Sequence, residues 1–331
     1  MIRFGIIGTN WITEKFIDAA SLLEDFELVA VYSRTEERAS EFAQKHHASH
    51  IFTNLEEMAK SDLIDAVYIA SPNSYHAQQA ILMMKHGKHV ICEKPMASNQ
   101  HEVEQMIKTA KENKVVLMEA MKSTFIPSFL SIKENLVKIG PIRRYFANFC
   151  QYSSRYDKYK EGIILNAFRP EFSNGSLMDI GIYCIYPMVA LFGEPTSVKA
   201  NAYMLESGVD GEGSILFGYD NMEGAVMFSK ITNSYIPSEI QGEKGSIIID
   251  KISSPSNVKI HYLDGTIEDI SVAQEENTMY YEAKEFINLI KSNKLQSDIN
   301  THQNSLITMK LMDEARKQIG LEYPADRKIQ G

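Results

Sequence analysis

From its second residue to about residue 120 the chain alternates short apolar runs with helical patterns, and that alternation restricts the fold more than any other feature. The apolar runs fall at 2–7, 27–32, 51–53, 65–70, 90–92 and 115–118. Between the first two, Phe16, Ala19, Ala20 and Leu23 share one helical face. Thr35 can cap the next helix, with Glu36 and Glu37 at its positive end. Asn54 with Glu57, and Asn99 with Glu102, have capping-box spacing, and Gly87 can stop the helix before it. Strands and helices in alternation predict a doubly wound parallel sheet of the Rossmann type.

After Pro127 the rhythm changes. Strand-like runs at 144–152, 198–205, 214–219, 224–229, 246–250 and 258–263 are separated by turn signals such as Asp220-Asn221 and Asp264-Gly265. They predict an α+β half with a large, mostly antiparallel open sheet, followed by helices at 278–292 and 305–319. The expected division is 1–121 for the first domain and 122–331 for the second, which leaves open that the C-terminal helix packs back on the first. A sheet with one uncovered face suits pairing with further copies, so a homodimer or homotetramer is expected. A cleft between the halves is the default place for a small-molecule site.

Composition excludes several partners. At 331 residues the chain is long for one core. A formal net charge of -9 argues against nucleic acid and anionic membranes, both of which call for clustered Lys and Arg. The apolar runs look too short for a membrane span, and the strand-like amino terminus is unlike a signal peptide. Cys92, Cys150 and Cys184 are odd in number and widely spaced, with neither a disulfide framework nor metal-ligand spacing. They suit a reducing cytoplasm.

Two stretches carry chemistry. After the first strand comes Gly8-Thr9-Asn10-Trp11-Ile12-Thr13, a strand–turn–helix in which Asn10 and Thr13 replace the second and third glycines of the dinucleotide fingerprint. Asn tolerates left-handed geometry, and its amide can donate to a phosphate. The turn offers an anion the amino end of a helix. At the end of the second strand, Ser33 and Arg34, with Arg38 one helical turn on, replace the acidic residue that would bind a ribose 2′-hydroxyl. That favours NADP(H), with NAD(H) possible. The other stretch is 90–95, where an apolar strand runs into Glu93-Lys94-Pro95. Pro95 cannot extend a ladder, so both charges belong at the carboxyl edge where open α/β sheets bind ligands.

Together with Ser71-Pro72-Asn73 and His76, Glu119-Ala120 and Pro127, and the segment from Gly175 through Asp179 to Tyr183, these motifs resemble the glucose-fructose oxidoreductase/inositol dehydrogenase/MocA family. The tyrosine at 183, where many members carry histidine, is similar to the dihydrodiol dehydrogenase branch. The resemblance implies that Ser71, Pro72, Asn73 and His76 line the nicotinamide ribose, and that Glu93 and Lys94 stand by the nicotinamide. Asp179 and Tyr183, four apart, share a face if the segment is helical. A buried Asp179 would need a partner, and Lys94 is the expected one. Arg169 matches a substrate-side position of the family, although pairing with Glu171 explains it equally well. Lys122 and Phe125 stand where members often carry an aromatic–arginine pair, which leaves the substrate open.

The implied activity is hydride transfer between the nicotinamide and a carbinol or carbonyl carbon of a sugar, polyol or cyclic diol. Tyr183 is assigned the proton, Lys94 the polarising charge and Asp179 the orientation of Lys94, with the first two roles exchangeable. A non-catalytic dinucleotide-dependent sensor with the same fold is the alternative.

Overall fold

The computed structural model describes residues 1–327. The chain divides into two compact units, Met1–Lys122 with Glu275–Ser305, and Ser123–Gln274 with the residues from Leu306 onward. The first unit begins β1 (Ile2–Ile7), α1 (Trp11–Ala20), β2 (Phe26–Tyr32), α2 (Glu36–His46), β3 (His50–Phe52) and α3 (Leu55–Lys60). It continues β4 (Ala66–Ile69), α4 (Asn73–Lys85), β5 (His89–Glu93), α5 (Gln100–Asn113) and β6 (Leu117–Ala120). The sheet order is β3-β2-β1-β4-β5-β6, with every pairing parallel. The central strands β4 and β5 are buried almost throughout, as a parallel sheet covered on both faces requires.

The last strand of this sheet starts two residues later than the apolar run predicts. Lys114 closes α5 in the left-handed conformation, and the Val115 N–H returns to the Ala110 carbonyl. The helix exit thus consumes the first part of the run, and the shift brings Glu119 into the buried strand.

The second unit carries α6 (Pro127–Asn135), β7 (Ile142–Cys150), α7 (Tyr156–Lys160) and α8 (Ile182–Phe192), the last preceded by a π-helical turn, Leu177–Gly181. Then come β8 (Ser197–Met204), β9 (Asp210–Gly218), β10 (Glu223–Ser229), β11 (Ser238–Gly242), β12 (Gly245–Ile249), β13 (Val258–Tyr262) and β14 (Ile267–Asp269). They form an eight-stranded sheet, β14-β13-β12-β11-β7-β10-β9-β8, antiparallel except for the β7–β10 pairing. The sequence reading missed β11 and β14. The first has a single large apolar residue, Ile240, and the second spans three residues, so neither has a legible alternation.

Of the closing helices, α9 (Met279–Lys291) belongs to the first unit, where Phe286 packs on Phe4 of β1 at 5.9 Å between ring centroids. It is followed by α10 (His302–Ile319) and α11 (Pro324–Arg327). One expectation needs correction. The stretch Pro170–Phe192 is long and apolar enough to match a membrane span, with a mean hydropathy of 1.5 over its most apolar window. In the fold 67% of that window is buried, and the stretch contains 3-10, π and α turns in succession.

Candidate active site

The first unit supplies the turn after β1. Gly8 adopts φ +110°, and a Cβ there would lie 2.6 Å from the Ala70 carbonyl oxygen. Only a glycine lets the ends of β1 and β4 approach so closely. Asn10 departs from expectation. It is extended (φ −117°, ψ 177°), its Oδ1 accepts from the Ile12 and Thr13 N–H groups, and its amide donates to the Ala70 carbonyl at 2.7 Å. Asn10 is therefore a helix cap and a brace between strands, because the second glycine's place needs no left-handed residue here. Thr13 replaces the third glycine by donating its hydroxyl to the Gly8 carbonyl at 2.9 Å.

Arg38 reaches from α2 to this turn, its guanidinium donating to the Thr9 carbonyl at 2.7 Å and the Thr9 hydroxyl at 3.2 Å. Its remaining arm pairs with Glu41. Arg34 is exposed, Ser33 is half-buried, and Trp11 is exposed with Lys15 over its ring. The Gly8 turn, the amino end of α1 and the Arg38 guanidinium beside Thr9 fit a phosphate-bearing dinucleotide, and the positions after β2 that would carry an acidic residue against a 2′-phosphate are Ser33 and the exposed Arg34.

At the carboxyl end of β5, Glu93 is buried and accepts a hydrogen bond from the Tyr68 hydroxyl at 2.6 Å. Tyr68 is itself stacked on Phe16 at 3.8 Å. Burial raises the Glu93 carboxyl above its ordinary range against the pull of Lys94 and Tyr68. Lys94 is half-buried and precedes a cis peptide to Pro95. His76 is fully buried, with Nδ1 2.9 Å from the Pro95 carbonyl and Nε2 2.8 Å from the Ser71 carbonyl. It thus staples the turn after β4 to the turn after Lys94. Burial lowers its pKa, although both carbonyls favour the charged ring. The Ser71 hydroxyl bonds Gln79, while Pro72 and Asn73 open α4.

Glu119 accepts the Met96 N–H at 2.9 Å and a hydrogen bond from Ser305, so it pins the chain just past Lys94. Burial pushes its carboxyl up to about 7. Glu282 of α9 is fully buried and its oxygens have no hydrogen-bond partner among the described residues. Burial raises its carboxyl well above the usual range, with Glu93 adding to the effect and Lys122 opposing it. Lys122 is half-buried and is lowered by burial against Glu282 and Glu93.

In the second unit Asp179 lies in the π turn and Tyr183 in the first turn of α8, edge-on to Phe149 at 5.7 Å. Pro187, four residues after Tyr183, has no N–H to return to the Tyr183 carbonyl, so the helical ladder is interrupted on that side. The π turn starts on Asp210, whose Oδ2 accepts the Leu177 N–H at 2.6 Å, while burial pushes that carboxyl up to about 6. Asp179 finds a partner that the sequence reading did not name: Lys230 Nζ stands 2.7 Å from its Oδ2. Only its place just past an apolar strand hinted at Lys230. Arg169 is exposed and donates to the Ile164 carbonyl at 2.8 Å, with no ion pair to Glu171 among the described residues. Phe125 is buried.

Residues 2–121 match the family model described as oxidoreductase family, NAD-binding Rossmann fold, and residues 137–248 match the GFO/IDH/MocA C-terminal domain. The chain is 61% identical over 327 residues to the scyllo-inositol 2-dehydrogenase (NADP(+)) IolU of Bacillus subtilis, covering 99% of this chain and 100% of that one. It is 31% identical to a trans-1,2-dihydrobenzene-1,2-diol dehydrogenase of Xenopus tropicalis, over 97% and 99% of the two chains. Among solved structures, the 3-ketoreductase KijD10 of Actinomadura kijaniata in complex with NADP and TDP-benzene superposes with a TM-score of 0.84. That match covers 96% of this chain and 98% of the other at 22% identity, and it carries the fold alone. Matched in both halves by the family's models and over nearly its whole length by these relatives, the chain belongs to the GFO/IDH/MocA family of oxidoreductases.

Proposed function

We propose that the chain is a cytoplasmic NADP(H)-dependent dehydrogenase. It moves a hydride between the nicotinamide and the carbinol or carbonyl carbon of a polyol or cyclic diol. The observation that carries this reading is the Glu93–Lys94 pair at the carboxyl end of β5, on a Rossmann sheet whose 61% identical relative is named an NADP(+)-dependent inositol dehydrogenase. Three free cysteines and no disulfide support the cytoplasmic assignment.

Gly8, Thr9 and the start of α1 would hold the pyrophosphate, Arg34 and Arg38 the 2′-phosphate, and Ser71, Asn73 and Glu93 the nicotinamide side. When bound, the cofactor supplies the hydride acceptor or donor. Free tyrosine and lysine, with pKa values near 10 and 10.4, are poor bases at neutral pH. A neighbouring cation lowers the first, and burial lowers the second. In the oxidative direction Tyr183 takes the hydroxyl proton as the hydride leaves carbon, Lys94 polarises the oxygen, and Asp179 serves from the helical turn before Tyr183. The roles of Lys94 and Tyr183 are interchangeable in this scheme.

The chain is further proposed to form a homo-oligomer through the outer face of the eight-stranded sheet. Support comes from Tyr203, Leu216 and Met227, which are 60%, 57% and 44% exposed on one face.

The test is a panel of inositols, sugars and diols followed at the nicotinamide absorbance with each cofactor. Turnover of a ring polyol with NADP is expected, and Lys94→Met is expected to abolish it while NADPH still binds by fluorescence. Full turnover by that variant would remove Lys94 from the reaction. NADPH binding without turnover of any member of the panel would favour a sensor.

A further inference from the structure

A buried ammonium is expensive unless something requires it. Lys230 follows the last residue of β10 and is 3% exposed. Its backbone is fixed, since its N–H donates to the Gly211 carbonyl and its own carbonyl accepts from Ser153. Its Nζ meets Asp179 Oδ2 at 2.7 Å and the Ala167 carbonyl at 3.2 Å, and lies 5.1 Å from the centroid of the Phe168 ring. Phe168 and Ala167 belong to an apolar cluster with Leu205 and Val209, which a methionine at 230 could join at no electrostatic cost. The side chain is instead a cation held by a carbonyl and a ring face and aimed at one carboxylate.

That carboxylate stands in the π turn, where i→i+5 bonding widens the spiral and the register of side chains is easily lost. The front of the turn is fixed by Asp210 on the Leu177 N–H. Lys230 fixes the carboxylate within it. We infer that Lys230 is a positioning residue for the oxidoreductase reaction, holding Asp179 in one orientation through an ion pair whose ammonium is buried while the carboxylate stays partly open to solvent. The inference rests on Asp179 serving the reaction, as proposed above.

A double-mutant cycle on the full-length chain with NADP and the best polyol separates the possibilities. Lys230→Met and Asp179→Asn are each expected to lower kcat on the order of 100-fold, the scale of misplacing a reacting group. The double variant should fall no more than about threefold below the weaker single one, because a shared interaction can be lost only once. NADPH affinity should stay within about twofold, since cofactor binding is a separate interaction. Should Lys230→Met fail to fold, Lys230→Gln keeps a donor for the Ala167 carbonyl without the charge, and the same cycle applies. Wild-type kcat in the lysine variant beside a disabled Asp179→Asn would overturn the inference and leave the role of Asp179 standing. Multiplying losses would overturn it too. Wild-type activity in Asp179→Asn would instead remove Asp179 from the reaction, and Lys230 with it.

Discussion

At the scale of single residues, the first unit places three carboxyls, Glu93, Glu119 and Glu282, in surroundings that disfavour their charge. Two of them bear on the candidate site: Glu93 precedes Lys94, and Glu119 holds the Met96 N–H. Each costs stability when ionised, as a buried acid must. For Glu119 the folded value of about 7 lies above the ordinary 4.5, so the folded state binds more protons than the unfolded one between those limits. Its contribution is therefore complete below about 4.5 and lost as pH rises through about 7. The span corresponds to on the order of 3 kcal/mol. Glu119→Gln keeps an acceptor for Met96 and removes the titration. Thermal midpoints taken at pH 5 and pH 8 should show the variant gaining on the wild type at the higher pH. An unchanged difference between the two would mean that Glu119 does not titrate in this window.

Among the elements, the π turn and α8 carry Asp179 and Tyr183, to which the proposed mechanism gives roles, and they depend on a tight contact. Gly175 adopts φ +146°, and a Cβ there would stand 2.1 Å from Asp210 Oδ1. Asp210 cannot yield, because its other oxygen holds the Leu177 N–H. Gly175→Ala should cost about 1–3 kcal/mol in backbone strain, with the Asp210 clash in addition, and should lower kcat by displacing Asp179. Gly87→Ala is the control, since that glycine is left-handed (φ +76°) but has nothing within 4 Å of the added carbon. It should cost about 1–2 kcal/mol and leave kcat untouched. Denaturant melts and turnover of both variants test this, and equal effects at the two positions would refute a special role for the Asp210 contact.

At the scale of the whole molecule, the outer face of the large sheet joins apolar to polar residues in register. Leu216 pairs with Ala225 and Lys199, and Met227 with Ser214 and Asn148. The oligomer proposed above would bury the exposed apolar side chains of this face against another copy. Replacing Leu216 and Met227 together by glutamate should lower the mass seen by light scattering to that of one chain of 37.5 kDa, with the unfolding midpoint little changed. A wild-type chain already at that mass would dismiss the proposed oligomer.

Much of this architecture was legible because period and punctuation are local properties. The apolar runs, the caps at Thr35, Asn54 and Asn99, and the proline after Glu93-Lys94 each act within a few residues, and they determined the parallel sheet and the place of Lys94 on it. The short strands β11 and β14 were not legible, because neighbouring strands hold them in the ladder and their own few residues carry no alternation. Nor could the sequence say that Asn10 would spend its amide on Ala70, that Lys230 would meet Asp179, or that α9 would bring Glu282 among the buried charges of the first unit. Those outcomes depend on which segments pack together, and a buried charge takes whatever partner the fold brings within reach.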